Sequence, residues 1–392
     1  MSMLVVGKQY KTEHLVGVAV LLGLFVPHTS IMLMAINPIL LVLLWTFTKG
    51  KTGNVFNEWR FLICALIGCS TIVSAFFFSH SSYKYIFAAL NLFLLILCFP
   101  FVGRERISSG YYLAALIITL FSQLVYVFNI PMIQRLIEII YPIGEDDLHY
   151  HEYMVDNISS SNILQFRLGG VFRNANQGAR YICLIMAAFL ADRPNENIRG
   201  VLLYILLAAS SIVLTGSRTG LVVFSLLVIV YILRNNAINK SVKVCFVLAG
   251  ILFVLPMFFG GGTARGFNVR QGFNDSANIK WFAFMDYLRQ DNSIFHLLFG
   301  YGDTQLFHAS HYGILPILDS EYGDLIFTYG FVGFLLVVIF YCKVYKMISK
   351  NSRFFLIILL WSLTSTILLS YKMSFLIMIF LSHFICDVKS EK

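Results

Sequence analysis

RGVLLYILLAASSIVLTGSRTGLVVFSLLVIVYILR, residues 199–234, decides the fold. Two apolar runs flank Thr215-Gly216-Ser217-Arg218-Thr219-Gly220 with almost no loop between them. Each run is close to the roughly 17 to 25 residues that a hydrocarbon core of about 30 Å asks of a helix. Continuous apolar sequence, rather than alternation at every second residue, selects helix over strand. The stretch reads as a hairpin crossing a membrane twice, with Arg218 held at the boundary.

Outward from it, the same kind of run recurs along the chain. The predicted spans are about 14–27, 31–48, 60–79, 84–102, 109–129, 174–191, 199–216, 219–234, 243–259, 320–342, 354–370 and 372–387. That makes about 12, or eleven if the first two merge across Pro27-His28-Thr29. The 392 residues are 58% hydrophobic and only 12% charged, where a soluble domain carries about 25% charge. A bilayer admits only helices or a closed barrel. The expected fold is therefore an all-α polytopic membrane protein, a single integral membrane domain over 1–392. Lys8 and Lys11 before the apolar run imitate a signal peptide. No small-residue cleavage site follows and a second run begins at Ile31, so a retained first helix is expected.

Basic residues orient the helices. With both termini cytoplasmic, 18 of 29 basic residues and 7 of 20 acidic ones fall on inside segments. The net charge of +9 is then the cytoplasmic anchoring of helices, which argues against nucleic acid as a partner. Two long loops, 130–173 and 260–319, lie outside, and long loops in compact proteins are usually functional. Within them Pro131 to Tyr141 and Ala277 to Arg289 read as amphipathic helices, the first suited to a membrane surface. All seven cysteines sit in or beside apolar runs and read as small buried hydrophobes, with no disulfide framework expected.

Four clusters are able to carry chemistry. In the first, Arg167 and Arg173 flank Gly169-Gly170 just before a helix. Asn174 or Asn176 is placed to cap that helix, and a helix N-terminus suits an anion; the plainer reading is a cap with an interfacial arginine. The second is Arg218, an ionisable residue at the membrane boundary, or else a snorkelling cation that marks a helix end. The third is Arg265 and Arg270, whose planar forks fit phosphate, or else solvated loop charges. The fourth is His308, His311, Asp319 and Glu321, all types that serve as general bases. An acid at a helix start also complements the dipole without any catalytic role. The two histidines lack a third ligand at diagnostic spacing, so no metal is expected. Tyr150, Tyr153 and Trp281 offer apolar faces with polar edges, which match sugar rings. Several outer arginines suit a diphosphate head group.

These residues together resemble the O-antigen polymerase and ligase superfamily, with the Wzy-type O-antigen polymerase closer. The resemblance rests on Arg167-x-Gly-Gly-x-Phe-x-Asn-x-Asn, Leu214-Thr-Gly-Ser-Arg218-Thr-Gly, Leu298-Phe-Gly300-Tyr-Gly302, and Asp319-Ser-Glu-Tyr322 followed by Tyr329-Gly330-Phe-Val-Gly333. It covers residues 160 to 335 by motif and the whole chain by its two-long-loop topology. It implies a GT-C-like glycosyltransferase of the cell inner membrane, without nucleotide sugar, metal or other cofactor. The donor would be an undecaprenyl-diphosphate-linked oligosaccharide, with a chain-length regulator protein as partner. It also implies that Arg218 and either Arg265 or Arg270 grip the lipid diphosphate. Ligases of the superfamily carry a histidine where this chain has Asp319, which tilts the reading to polymerase. The family also tends to place an arginine shortly before the tryptophan, where this chain has Lys280. The rival readings are an O-antigen ligase acting on lipid A-core and a membrane transporter or flippase.

Overall fold

The computed structural model describes residues 14–22, 25–26, 107–141, 168–172, 175–193, 196, 198–236, 238–241, 243–248, 250, 294–300, 321–347 and 352–362, with single positions 36, 39, 40, 42, 43, 46, 68, 93, 376 and 377. Every regular element among the described residues is helical. The chain divides into two compact units: Phe25–Thr29 with Ile107–Arg270, and Met1–Leu24 with Ser30–Arg106 and Gln271–Lys392.

The first of these units holds α1 (Ser109–Val127), α2 (Pro131–Ile140), a 3-10 turn at Gly170–Phe172, α3 (Ala175–Asp192), α4 (Ile198–Thr215) and α5 (Arg218–Arg234). The centre is α3, packed against α1, α4 and α5. Only Asn176 and Gln177 of its residues escape burial. Small residues such as Gly178, Ala179, Ala187 and Ala188 let its neighbours close in on several sides. Chain direction alternates: Gly216 and Ser217 alone join α4 to α5. Tyr112 at the start of α1 bonds to Asp192 at the end of α3, 3.0 Å away.

The faces of these helices invert the pattern of a water-soluble bundle. Thr119, Ser122, Gln123, Ser211 and Thr215 are buried, whereas Ile117, Phe121, Leu203, Leu206, Leu226 and Leu233 are exposed. Ser109–Val127 and Tyr322–Lys346 are long and apolar enough to cross a membrane, and Arg199–Thr215, Thr219–Arg234 and Arg353–Ser362 are shorter apolar helices. The predicted spans 31–48, 60–79, 84–102, 243–259 and 372–387 fall wholly or mostly outside the described residues, so a count of twelve rests on sequence.

The amphipathic segment after α1 is helical, as its pattern predicts. Ile137 of α2 packs with Val125, Tyr126 and Leu168, while Met132, Leu136 and Ile139 are exposed. Tyr141 closes this element by donating its hydroxyl to the Phe25 carbonyl. Burial pushes that phenol above its ordinary range.

The second unit contains α6 (Ile294–Phe299), α7 (Glu321–Met347) and α8 (Ser352–Ser362). α7 is broken at Gly330, with φ 67° and ψ −173°, a conformation open to glycine at little cost. The end of α6 fills the break. A Cβ on Gly330 would lie 2.2 Å from the Leu298 carbonyl oxygen, and one on Gly300 would lie 2.5 Å from that of Thr328. Two glycines are needed because main chain meets main chain. Before the break, the Tyr322 hydroxyl donates to the Leu359 carbonyl at 3.2 Å, tying α7 to α8.

The cysteines need a correction. Cys183 is buried, but Cys245 and Cys342 are exposed. An apolar run places a thiol in a helix without saying which face it takes, and both of these face away from the fold.

Candidate functional site

The motif around Gly169-Gly170 and the turn around Arg218 meet in space. They do so at the end of the bundle where α4 turns into α5, called here the turn end. The Leu168 amide donates to the Leu214 carbonyl at 3.0 Å. The Gln123 amide group donates to the carbonyls of Leu168, 3.0 Å, and Ser211, 3.2 Å, and accepts from the Ser211 hydroxyl. Ser122 accepts from the Val171 amide at 3.2 Å and donates to the Thr119 carbonyl at 2.7 Å. One glutamine and one serine of α1 thus stitch the 168–172 segment down. Gly170, at φ 59°, sits so close that a Cβ would lie 2.2 Å from the Ser122 hydroxyl oxygen.

The start of α5 is pressed against α3. A Cβ on Gly220 would fall 2.6 Å from that of Ala179, and the Cys183 thiol donates to the Gly220 carbonyl at 3.4 Å. Ser217 caps α5 by accepting from the Gly220 amide at 3.3 Å, and its own amide donates to Thr215 Oγ1 at 3.2 Å. As a result α3 and α5 both begin at the turn end, side by side. The first amides of a helix have no partner within it, and each N-terminus carries about half a positive charge. Two such termini with glycine-rich approaches form a place suited to an anion.

Arg218 is the first residue of α5. Arg167 and Arg173 lie outside the described residues, one position before Leu168 and one after Phe172. Glu321 opens α7. Asp319, His308, His311, Arg265, Arg270, Tyr150, Tyr153 and Trp281 also lie outside the described residues, as does Asn174. Asn176 falls within α3 rather than before it. The structure therefore joins segment 168–172 of the first cluster to the 214–220 turn of the second, while the arginines of the first cluster and, Glu321 apart, the residues of the third and fourth lie outside the described residues.

Three groups at the turn end escape a reading for charge clusters. Gln123 is a lone amide in an apolar run, yet it is fully buried and bonds to two other segments. Arg180 is 5% exposed and falls inside the predicted span 174–191; a buried cation in such a run is costly and is a functional signal. Tyr181 beside it is completely buried. In the other unit, Asp324 lies one turn after Glu321 and is partly buried.

The opposite end of the same helices is built differently. Arg193 pairs with Glu196 at 3.0 Å, and its guanidinium lies 4.7 Å from the Phe189 ring centre and 5.9 Å from that of Tyr112. The Glu196 carbonyl accepts from Asn235 at 2.9 Å and from the Tyr231 hydroxyl at 3.3 Å. Tyr204 stacks on Phe189 with ring centres 4.0 Å apart. Here Tyr112 with Asp192, and Asn235 and Tyr231 with the Glu196 carbonyl, bond across helices, while Arg193 pairs with Glu196 and keeps one buried nitrogen, Nη1, without a hydrogen-bond partner among the described residues.

No family model matches the chain, and no curated protein matches it in sequence.

Proposed function

We propose that the chain is a polytopic inner-membrane glycosyltransferase that polymerises undecaprenyl-diphosphate-linked repeat units of an O-antigen or capsular polysaccharide. In this reading about twelve helices cross the membrane, both termini are cytoplasmic, and loops 130–173 and 260–319 lie on the outer face. The outward Leu, Ile and Phe residues of the bundle suit a hydrocarbon surround. The observation that carries the functional reading is the joining of segments 168–172 and 215–220 where two helix N-termini open. Such a site attracts a diphosphate, and the arginines at 167, 173 and 218 are placed along the chain at its edges.

The reaction follows from that chemistry. A hydroxyl of an incoming lipid-linked unit attacks the reducing-end sugar carbon of the growing chain. The carbon–oxygen bond to diphosphate breaks, and undecaprenyl diphosphate leaves with the electron pair. Asp319, or else Glu321, His308 or His311, takes the hydroxyl proton. Helix N-termini and arginines stabilise charge on the leaving group, an effect worth roughly 10²–10³ in rate per donor.

An in vitro polymer-length assay with lipid-linked units tests this. Arg218→Ala should leave single units unextended at matched expression, and long chains from that variant would sink the diphosphate role. Asp319→Asn should do the same, and full activity would move the base to Glu321 or a histidine. Transfer only to a lipid A-core acceptor would mark a ligase instead. The broken α7 is the one observation that favours a transporter, because interrupted helices line transport sites. Its gap is filled by the end of α6, and unit translocation in liposomes without chain growth would establish that alternative.

A further inference from the structure

We propose that the Tyr181 hydroxyl is a hydrogen-bond donor to the lipid diphosphate, completing an anion subsite at the N-terminus of α3. This rests on the function proposed above and adds a residue to its site. Tyr181 is 0% exposed, and its hydroxyl finds no hydrogen-bond partner among the described residues. Buried polar atoms are nearly always paired, and an unpaired one calls for an explanation. The ring of Tyr181 packs against Phe172, with centres 4.4 Å apart, and edge-on to Phe25 at 6.2 Å. Phe172 ends the 3-10 turn that leads into α3. Helical side chains lean toward the N-terminus of their own helix. Tyr181 stands in the second turn of α3, so its ring leans toward the first turn, as its contact with Phe172 confirms.

The first turn of α3 supplies the positive end of a helix dipole. Beside it lies the start of α5, pressed in by the Gly220–Ala179 approach. A phenol fits such a place for a physical reason. It donates one hydrogen bond without bringing a second charge that must be desolvated, and bonds from a neutral donor to an anion are the stronger kind. The aromatic packing fixes the ring, so little side-chain freedom remains to be lost when the ligand arrives. The ligand class is a diphosphate monoester or diester. A carboxylate or phenolate could not take the place of the phenol, because either would repel it.

Tyr181→Phe removes one oxygen and leaves the packing intact. The test uses purified full-length protein in lipid nanodiscs, comparing wild type, Tyr181→Phe and Arg218→Ala. Melting temperature is read with no addition, with undecaprenyl diphosphate and with undecaprenol, and KM and kcat are read with lipid-linked units. Without ligand, Tyr181→Phe should melt at or above the wild-type temperature, because an unpaired buried hydroxyl is gone. Its melting shift with undecaprenyl diphosphate should shrink. KM for the lipid-linked unit should rise by about 10- to 100-fold, the range for a bond to a charged group, with kcat changing less. A wild-type shift and KM in Tyr181→Phe, while Arg218→Ala loses the shift, overturns the role of Tyr181 and keeps the wider reading. An equal shift with undecaprenol assigns recognition to the lipid tail and overturns the subsite. No shift in the wild type overturns the diphosphate reading and this inference together.

Discussion

The two ends of the α1, α3, α4 and α5 bundle hold similar residues in opposite conditions. At the end away from the α4–α5 turn, Tyr112 meets Asp192, Arg193 meets Glu196, and Asn235 and Tyr231 meet the Glu196 carbonyl. At the turn end, the hydrogen bonds of Ser122 and Gln123 are spent on holding one loop segment in place, α3 and α5 both begin, and the buried Tyr181 hydroxyl has no hydrogen-bond partner among the described residues. The difference teaches that polarity inside an apolar bundle has two uses. Groups that bond across helices lock them together, and a buried hydroxyl without a partner is available to something else.

The sharpest way to break this comparison is Arg218→Ala. Polymer should fall by roughly two to three orders of magnitude while the melting temperature of the purified protein changes little. A large drop in melting temperature would make Arg218 part of the lock. Next is Asp192→Ala, which leaves the buried Tyr112 hydroxyl without its acceptor. It should cost about 2–3 kcal/mol, measured by denaturant titration, with polymer yield per folded molecule unchanged. Lost activity at full stability would mean that the opposite end is not structural.

Gln123→Leu should move both readouts, since it frees the Leu168 and Ser211 carbonyls and loosens the segment they hold. A loss of about 1–3 kcal/mol is expected together with a lower polymer yield, and a stability loss alone would uncouple the segment from the reaction. The smallest effect belongs to Asn235→Ala, at about 1 kcal/mol and with polymer length unaltered. A change in chain length from so distant a site would blur the division between the ends.

The helices at the centre of the described bundle are legible in sequence, because hydropathy runs are read locally. The run at 109–129 and the hairpin at 199–234 reappear as α1, α4 and α5 within a few residues. The meeting of the first two clusters was not legible. It depends on bonds such as those from Gln123 to Leu168 and Ser211, 45 and 88 residues apart in the chain, and no local pattern encodes a partner at that distance. Arg180 was hidden by averaging, since eleven apolar or small neighbours follow it to Ala191. The break at Gly330 was hidden because hydropathy takes no account of backbone angles. Asp319 and the loop arginines remain sequence readings, lying outside the described residues.

The glycine crossing between α6 and α7 has a consequence for the loop between them. Gly300 and Gly330 touch main chain to main chain, so α6 cannot slide along α7 by even one residue. Glu321 lies nine residues before Gly330, about 14 Å along a helix. Residues 301–320, which include His308, His311 and Asp319, therefore leave and return to points a fixed short distance apart. A methyl group at Gly330 would press on the Leu298 carbonyl and so disturb the crossing that sets the spacing between Gly300 and Glu321.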